Sequence, residues 1–132
     1  MPEQPIKDKT AIAGIGWTAF TRKSGVRTLT LAAEASLNAI ADAGLNAQDI
    51  DVVVSYFHKR PESKEVAELT QMLGLKNCNF QIYSDGGGGW NCAAVLSAAM
   101  LVHSGVCKNV PVFKAQFEDV TPEVTLAKFK PS

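Results

Sequence analysis

The sequence predicts an α/β fold built on a mostly parallel sheet, and two observations carry that prediction. Short apolar runs rich in β-branched residues alternate with longer stretches of helical period, three times in succession. Each helical stretch ends in a glycine followed by an apolar residue, at Gly44, Gly74 and Gly105, and a strand-like run follows soon after. Strand–helix–strand units in alternation are typical of a parallel sheet.

The predicted elements follow in a regular order. The strands are predicted at residues 11–16, 50–56, 79–83 and 110–113, and the helices at residues 29–44, 62–73 and 89–104. The second strand is almost continuously apolar, as expected for a strand buried on both faces of a sheet. We expect a polar tail at residues 1–10, one α/β domain at residues 11–115, and a divergent C-terminal tail at residues 116–132.

Length and composition are those of one folded domain. The chain has 132 residues, of which 46% are hydrophobic and 20% are charged. Its 13 basic residues balance 13 acidic residues without a basic stripe, which argues against nucleic acid as a partner. No apolar run approaches the roughly 20 residues of a membrane span, and no signal-peptide core is present. We therefore expect a cytoplasmic domain without a membrane span.

The third predicted helix is apolar on every face. No charged residue occurs between Gly86 and Ser104, and alanine, valine, leucine and methionine fill the helix. A helix of this kind is expected to be buried on all sides. Because one chain of this size has too little material to bury a whole helix, we expect a second layer or another subunit to cover it.

Two glycine-rich segments are candidate ligand sites. Gly14, Gly16 and Ala19 form a G-x-G-x-x-A match after a predicted strand, which is a weak dinucleotide-binding signal. Trp17 is bulky where a pyrophosphate would approach, and Tyr56 and Phe57 lie at the end of the second strand, where an acidic residue is expected. The alternative interpretation is a tight turn followed by an irregular loop.

The second segment lies between the third strand and the third helix. We predict a substrate-binding turn here, formed by Gly86, Gly87, Gly88, Gly89, Trp90 and Asn91. Glycines allow a ligand to approach the backbone closely, and the free amides of a helix start favour an anion or an oxyanion. The alternative is close packing of the turn against a neighbouring subunit. In either case we expect no side chain to be tolerated at Gly87 or Gly88.

No catalytic or metal-binding residue is predicted. The cysteines, Cys78, Cys92 and Cys107, contain no C-x-x-C pair, which argues against a zinc site and a disulfide framework. Cys92 follows the turn within an apolar helix, so we expect a core residue rather than a nucleophile. Neither His58 nor His103 has a visible partner for acid–base chemistry.

Residues 11–20, 30–44 and 47–56, together with the glycine-rich turn and residues 90–105 and 110–115, resemble the N-terminal half of the thiolase superfamily. Within it they are most similar to the branch of sterol carrier protein X and the lipid-transfer proteins. The resemblance implies a half-fold with strand order 3-2-1-4, followed in the family by an antiparallel fifth strand. It also implies a third helix buried between the two sheets of an intact molecule. Residues 116–132 do not resemble the family continuation.

The resemblance also implies a chemistry. Thiolases begin the third helix with a nucleophilic cysteine, and counting back from Gly105 places that position at Gly88, so this chain resembles a member without the nucleophile. Relatives with such a turn include aldolases that cleave steroid side-chain CoA thioesters beside an OB-fold acyl-CoA-binding partner. Their acid–base residues lie in the C-terminal half.

The expected function is therefore binding of a lipid or sterol acyl-CoA thioester, or making or breaking of its C–C bonds. We expect no cofactor and no activity of the chain alone. A homodimer through the third strand is expected, because family members pair that edge. The alternatives are a non-catalytic interaction or oligomerisation domain and a Rossmann-type nucleotide binder. The sequence leaves open which acyl-CoA is bound and whether the chain is a fragment or a short paralogue.

Overall fold

The fold alternates helices and strands as the sequence predicts. The computed structural model describes residues 5–21, 25–57, 64–85 and 88–115. In chain order the elements are α1 (Thr28–Asp42), a short 3-10 helix (Ala47–Asp49), β1 (Val52–Phe57), α2 (Lys64–Met72), β2 (Phe80–Asp85), α3 (Trp90–His103) and β3 (Val112–Phe113). The three predicted helices and the last three predicted strands are all present, which confirms the α/β fold class.

The three strands form one parallel sheet in the order β2-β1-β3. β1 is the central strand, with Val54 in register with Ile82 on one side and with Val112 on the other. Val52 and Val53 are also completely buried, as the continuous apolar pattern predicts. β2 lies at an edge of the described sheet, where the prediction places the third strand.

All three helices end in the same main-chain motif. Gly44, Gly74 and Gly105 adopt positive φ angles of 68°, 66° and 79°, which favour glycine. After α1, the amide of Leu45 donates to the carbonyl of Ile40 at 3.0 Å, and the ends of α2 and α3 repeat this bond. These are Schellman motifs, and they confirm the predicted glycine stops.

The predicted first strand is wrong. Among the described residues, segment 10–21 carries no strand. The second, third and fourth predicted strands are β1, β2 and β3, so the observed order in the predicted numbering is 3-2-4. The fourth predicted strand (β3) therefore pairs directly with the second (β1). The segment bonds to α1 instead of to the sheet. The amide of Ile15 donates to a carboxylate oxygen of Asp42 at 2.9 Å, and Asn38 donates to the carbonyl of Trp17 at 3.1 Å.

Side chains cover both faces of the sheet, but to different extents. One face carries the larger core, formed with α1, α2 and the residues around them. On the other face, Val54 and Tyr56 pack against Ala94 and Ala98 of α3. The outer side of α3 is open: Leu96 is 52% exposed and Met100 is 56% exposed. This open side agrees with the expectation that one chain of this size cannot cover the whole helix, because the described residues supply no layer beyond α3.

Candidate functional site

The glycine-rich turn lies at the carboxyl edge of the parallel sheet. β1 ends at Phe57 and β2 ends at Asp85, and because the strands are parallel both ends lie at the same edge. The turn connects this edge to the N-terminus of α3 at Trp90. Open α/β sheets bind ligands at this edge. Of the predicted site residues, Gly86 and Gly87 lie outside the described residues, whereas Gly88, Gly89, Trp90 and Asn91 lie within them.

The described part of the turn projects away from the fold. Gly88 and Gly89 are exposed, and a Cβ atom added to either would meet no atom of the described part of the chain within 4 Å. Neither has a positive φ angle. The expectation that Gly88 tolerates no side chain is therefore wrong as far as the described residues show, because none of them packs against that position. Gly87 lies outside the described residues. The space at Gly88 is open to a ligand or to another chain.

The start of α3 presents main-chain donors to this space. No side chain of the described residues caps the helix N-terminus, and the first turn of the helix contains no acidic residue. The side-chain amide of Asn91 instead donates to the carbonyl of Gly88 at 3.2 Å, which braces the turn. The indole of Trp90 is half exposed beside it. Uncapped amides at the positive end of a helix dipole suit a carbonyl oxygen that gains negative charge.

A cation at the same edge was missed by sequence reasoning. The ammonium group of Lys114 lies 5.0 Å from the centroid of the Tyr56 ring, and Tyr56 itself is buried. Phe113 is in register with Ser55, so Lys114 follows β3 at the carboxyl edge. The sequence signal was a lysine directly after the last predicted strand. Lys114 thus places a positive charge at the edge of the sheet where the turn lies.

The cysteines occupy three different environments. Cys92 is exposed, so the prediction of a core residue is wrong: it lies in the first turn of α3, which the described chain leaves uncovered. Cys107 is buried and Cys78 is half-buried, which agrees with packing roles for two of the three. Burial raises the pKa of the Cys78 and Cys107 thiols, and the Asp51 carboxylate raises both further.

The G-x-G segment is explained by helix packing. A Cβ atom added to Gly14 would lie 2.6 Å from the amide nitrogen of Ala43 in the C-terminal cap of α1. One added to Gly16 would collide with the main chain at Ala35 and Ala39. Close approach to α1 therefore accounts for both glycines. That contact removes the reason for interpreting them as a pyrophosphate cradle.

Other candidate positions contribute less to the site. His103 lies in the last turn of α3, and His58 lies outside the described residues. Across the described ranges, no group of three or more His, Cys, Asp or Glu side chains is placed to hold a metal ion. None of the helices in these ranges has the length and apolarity needed to cross a membrane.

Comparison with known proteins relates the chain to steroid-cleaving enzymes. It is 38% identical over 110 residues to a 17-hydroxy-3-oxo-4-pregnene-20-carboxyl-CoA lyase of Mycobacterium tuberculosis, covering 83% of this chain. It is 42% identical over 105 residues to a steroid side-chain-cleaving aldolase of Thermomonospora curvata, covering 80% of this chain. The matches span only 28% and 26% of those two relatives. No family model matches the sequence.

Solved structures give the same relationship. The chain superposes on an Ltp2-ChsH2(DUF35) aldolase with a TM-score of 0.74 and 37% identity, covering 84% of this chain and 28% of that one. It also matches a monomeric SCP2-thiolase-like protein of Mycobacterium smegmatis, with a TM-score of 0.68 and 19% identity. That match covers 86% of this chain and 24% of the other, and at this identity it shows the fold alone.

Proposed function

Because the chain belongs to the thiolase superfamily, we propose that it binds the CoA thioester of a lipid or steroid acid at the turn before α3 and serves C–C bond cleavage within a larger assembly. The similarity to the steroid side-chain-cleaving aldolase, 42% over 105 residues, carries this proposal. The uncapped helix start at the carboxyl edge of the sheet supports it independently.

The chemistry that fits this site is a retro-aldol step. The C–C bond next to the hydroxyl-bearing carbon breaks, and its electron pair passes to the carbon beside the thioester carbonyl. The hydroxyl proton passes to a base, the hydroxyl carbon becomes a carbonyl, and the resulting enolate takes up a proton. Amides at the start of α3 would stabilise the enolate oxygen. We assign the base and the acid to a region outside the described chain, such as the C-terminal half implied by the resemblance.

Binding can be tested on the chain alone. We expect a steroid acyl-CoA thioester to raise the melting temperature, whereas NAD⁺ leaves it unchanged. At a ligand concentration 100-fold above Kd, the stabilisation should be about 2.7 kcal/mol. Gly88→Val should abolish this shift without lowering the melting temperature of the free protein, because Gly88 has open space around it. Glu34→Gln, at an exposed position on α1, is the control. Stabilisation by NAD⁺ alone, or by neither ligand, would contradict the proposal.

A second protein is expected to bind this chain. The name of the related structure, Ltp2-ChsH2(DUF35) aldolase, joins two protein names. We propose that this chain likewise works beside an acyl-CoA-binding partner with an OB fold. The exposed outer side of α3, with Leu96 and Met100, supports the need for covering protein. The same observation favours the second candidate function, a non-catalytic interaction domain.

We also propose a homodimer that pairs through β2. This strand is an edge of the described sheet, and Phe80 and Tyr83 on it are 38% and 42% exposed. An exposed strand edge is a template for pairing with another chain. Light scattering should give twice the chain mass, and Phe80→Lys should halve it, whereas Leu37→Lys on α1 should not. A folded monomer at micromolar concentration would contradict the dimer.

A further inference from the structure

An elongated cleft separates β3 from the segment that precedes α1. Its volume is about 590 Å³, and two continuous stretches of chain, residues 9–16 and 108–114, form its long walls. At about 3.3 Å per extended residue, the wall at 108–114 is about 20 Å long. A cleft of this volume is within the range of pockets that hold small molecules. Its shape favours a long, narrow ligand.

The side chains that line the cleft are mostly apolar. They come from both walls and from the helices on either side, α1 and α3, and they include Ile12, Ile15, Ile40, Val95, Val102 and Val110. Ile12 and Ile15 are largely exposed to water in the described chain. An apolar ligand in the cleft would bury part of this surface, which is the main source of affinity in such pockets.

One polar atom in the lining is buried without a hydrogen bond. Ser36 of α1 is only 4% exposed and lines the cleft, and its hydroxyl oxygen has no hydrogen-bond partner among the described residues. Buried polar groups without a partner are uncommon in folded proteins, because the loss of water is then not compensated. The hydroxyl of Ser36 therefore favours a ligand that brings a polar group to this part of the cleft.

The two walls of the cleft run in the same direction. A Cβ atom added to Gly14 would meet Ala43 at the end of α1, whereas one added to Gly16 would meet Ala35, two turns earlier in that helix. The first wall is therefore antiparallel to α1. Because α1 ends close to the start of β1, both walls begin at the amino edge of the sheet.

Two lysines line the cleft at this shared end. They are Lys9 and Lys108, one from each wall. The main-chain amide of Lys108 donates to the carboxylate of Asp51, the residue before β1, which fixes this wall at the amino edge. The described lining contains no Asp or Glu. Lys114, at the opposite end, lies 5.0 Å from the centroid of the Tyr56 ring. This arrangement favours a ligand with its negative charge at the amino end of the cleft.

We propose that the cleft binds an elongated carboxylic acid that carries a hydroxyl group along its length. The carboxylate lies at Lys9 and Lys108, the apolar chain covers the walls, and the hydroxyl group bonds to Ser36. A CoA thioester lacks the free carboxylate, so this site is separate from the turn before α3 and does not depend on the proposed function.

Two fatty acids that differ by one hydroxyl group test the role of Ser36. Titration calorimetry on the whole chain, below the micelle-forming concentration, compares stearate with a hydroxystearate whose hydroxyl is in mid-chain. We expect hydroxystearate to bind about threefold to tenfold more tightly, and Ser36→Ala to abolish this preference without lowering the melting temperature. Ser97→Ala, on α3 outside the lining, should keep it. No saturable binding, or the same preference in Ser36→Ala, would overturn the proposal.

The position of the carboxylate is tested by removal of positive charge. Lys9→Gln combined with Lys108→Gln should weaken the binding of hydroxystearate about tenfold, because the carboxylate loses both cations. Lys76→Gln removes an exposed charge that does not line the cleft and should leave the affinity unchanged. Equal affinity in all these variants would overturn the proposal.

Amide chemical shifts of the wild-type chain locate the bound acid without a substitution. Hydroxystearate should shift the amides of Ser36, Val110 and Val112, and should leave Gly88 and Gly89 unchanged. Shifts confined to Gly88 and Gly89 would overturn the cleft site and leave the proposed acyl-CoA site standing. A steroid acyl-CoA thioester that fails to shift Gly88, while hydroxystearate shifts Val112, would contradict the proposed function alone.

Discussion

The carboxylate of Asp51 accepts a hydrogen bond from the main-chain amide of Lys108 at 2.7 Å, across 57 positions of the sequence. The same oxygen lies 3.3 Å from the amide of Asn109, and the main-chain carbonyl of Asp51 accepts from the amide of Asn79 at 2.8 Å. Asp51 thus ties together the chain segments that lead into β1, β2 and β3. This tie fixes the amino ends of the three strands, at the edge of the sheet opposite the turn.

Removal of this carboxylate should destabilise the fold. We expect Asp51→Ala to lower the free energy of unfolding by about 1–3 kcal/mol, because two main-chain amides lose their acceptor. Urea denaturation measures the change. Glu34→Ala, at an exposed position on α1, should change stability by less than about 0.5 kcal/mol. Equal stability of the two variants would show that the hydrogen bonds of the Asp51 carboxylate contribute nothing to the free energy of unfolding.

A methyl group added at Gly16 should lower the free energy of unfolding. Its Cβ atom would lie 2.9 Å from the carbonyl carbon of Asn38 and would collide with the α1 main chain, so we expect Gly16→Ala to cost about 1–3 kcal/mol. Gly88→Ala, with open space around it, is the matched control and should be close to neutral. Thermal unfolding compares them. If both variants melt at the wild-type temperature, the close contact between Gly16 and the main chain of α1 is wrong.

Local sequence signals predicted most of the fold. The three glycine stops were readable because a Schellman motif needs a residue with positive φ followed by an apolar one, as at Gly105 and Val106. The first strand was misassigned for a physical reason. An apolar run with glycines fits a strand and equally fits a segment pressed against a helix, and only the tertiary contact of Gly16 with α1 separates the two.

The site was predicted less completely than the fold. The start of α3 is a local feature, and its predicted start at residue 89 lies within one residue of the observed start at Trp90. Ligand binding at the turn stays a prediction. Incomplete cover of α3 was expected, but the exposure of Cys92 and Leu96 in particular was not predictable, because a helix that is apolar on every face does not show which side meets the sheet. Lys114 and Tyr56 meet only after β3 pairs with β1, a long-range event that no local pattern reports.

The exposed cysteine should be the first to react. We expect iodoacetamide to label Cys92 before Cys78, and Cys107 last, because burial raises the pKa of the latter two thiols and limits access to them. Mass spectrometry of peptides from the native protein gives the order. Labelling of Cys107 ahead of Cys92 would contradict the placement of α3 with its outer side open.

One ion pair should make stability depend on pH. Arg27 donates two hydrogen bonds to the Glu68 carboxylate, at 2.8 and 3.1 Å, and this contact lowers the pKa of Glu68. The contribution to stability is therefore present above the ordinary pKa of about 4.3 and is lost as the pH falls through the lower folded-state pKa.

The pH effect should be small, because both side chains are largely exposed. We expect Arg27→Gln to lower the melting temperature slightly at pH 7, and the difference from the wild type to shrink as the pH falls below about 4. Glu34→Gln should show no such convergence. A difference that stays constant down to low pH would assign the effect of Arg27 to packing instead.

The proposal that this thiolase-like chain binds an acyl-CoA thioester at the turn before α3 is tested most directly by amide chemical shifts during a titration. With a steroid acyl-CoA thioester, we predict saturable shifts at Gly88, Gly89 and Trp90, with little change at Gly14 and Gly16. Shifts centred on Gly14 and Gly16, or no saturable shift at the start of α3, would contradict the account.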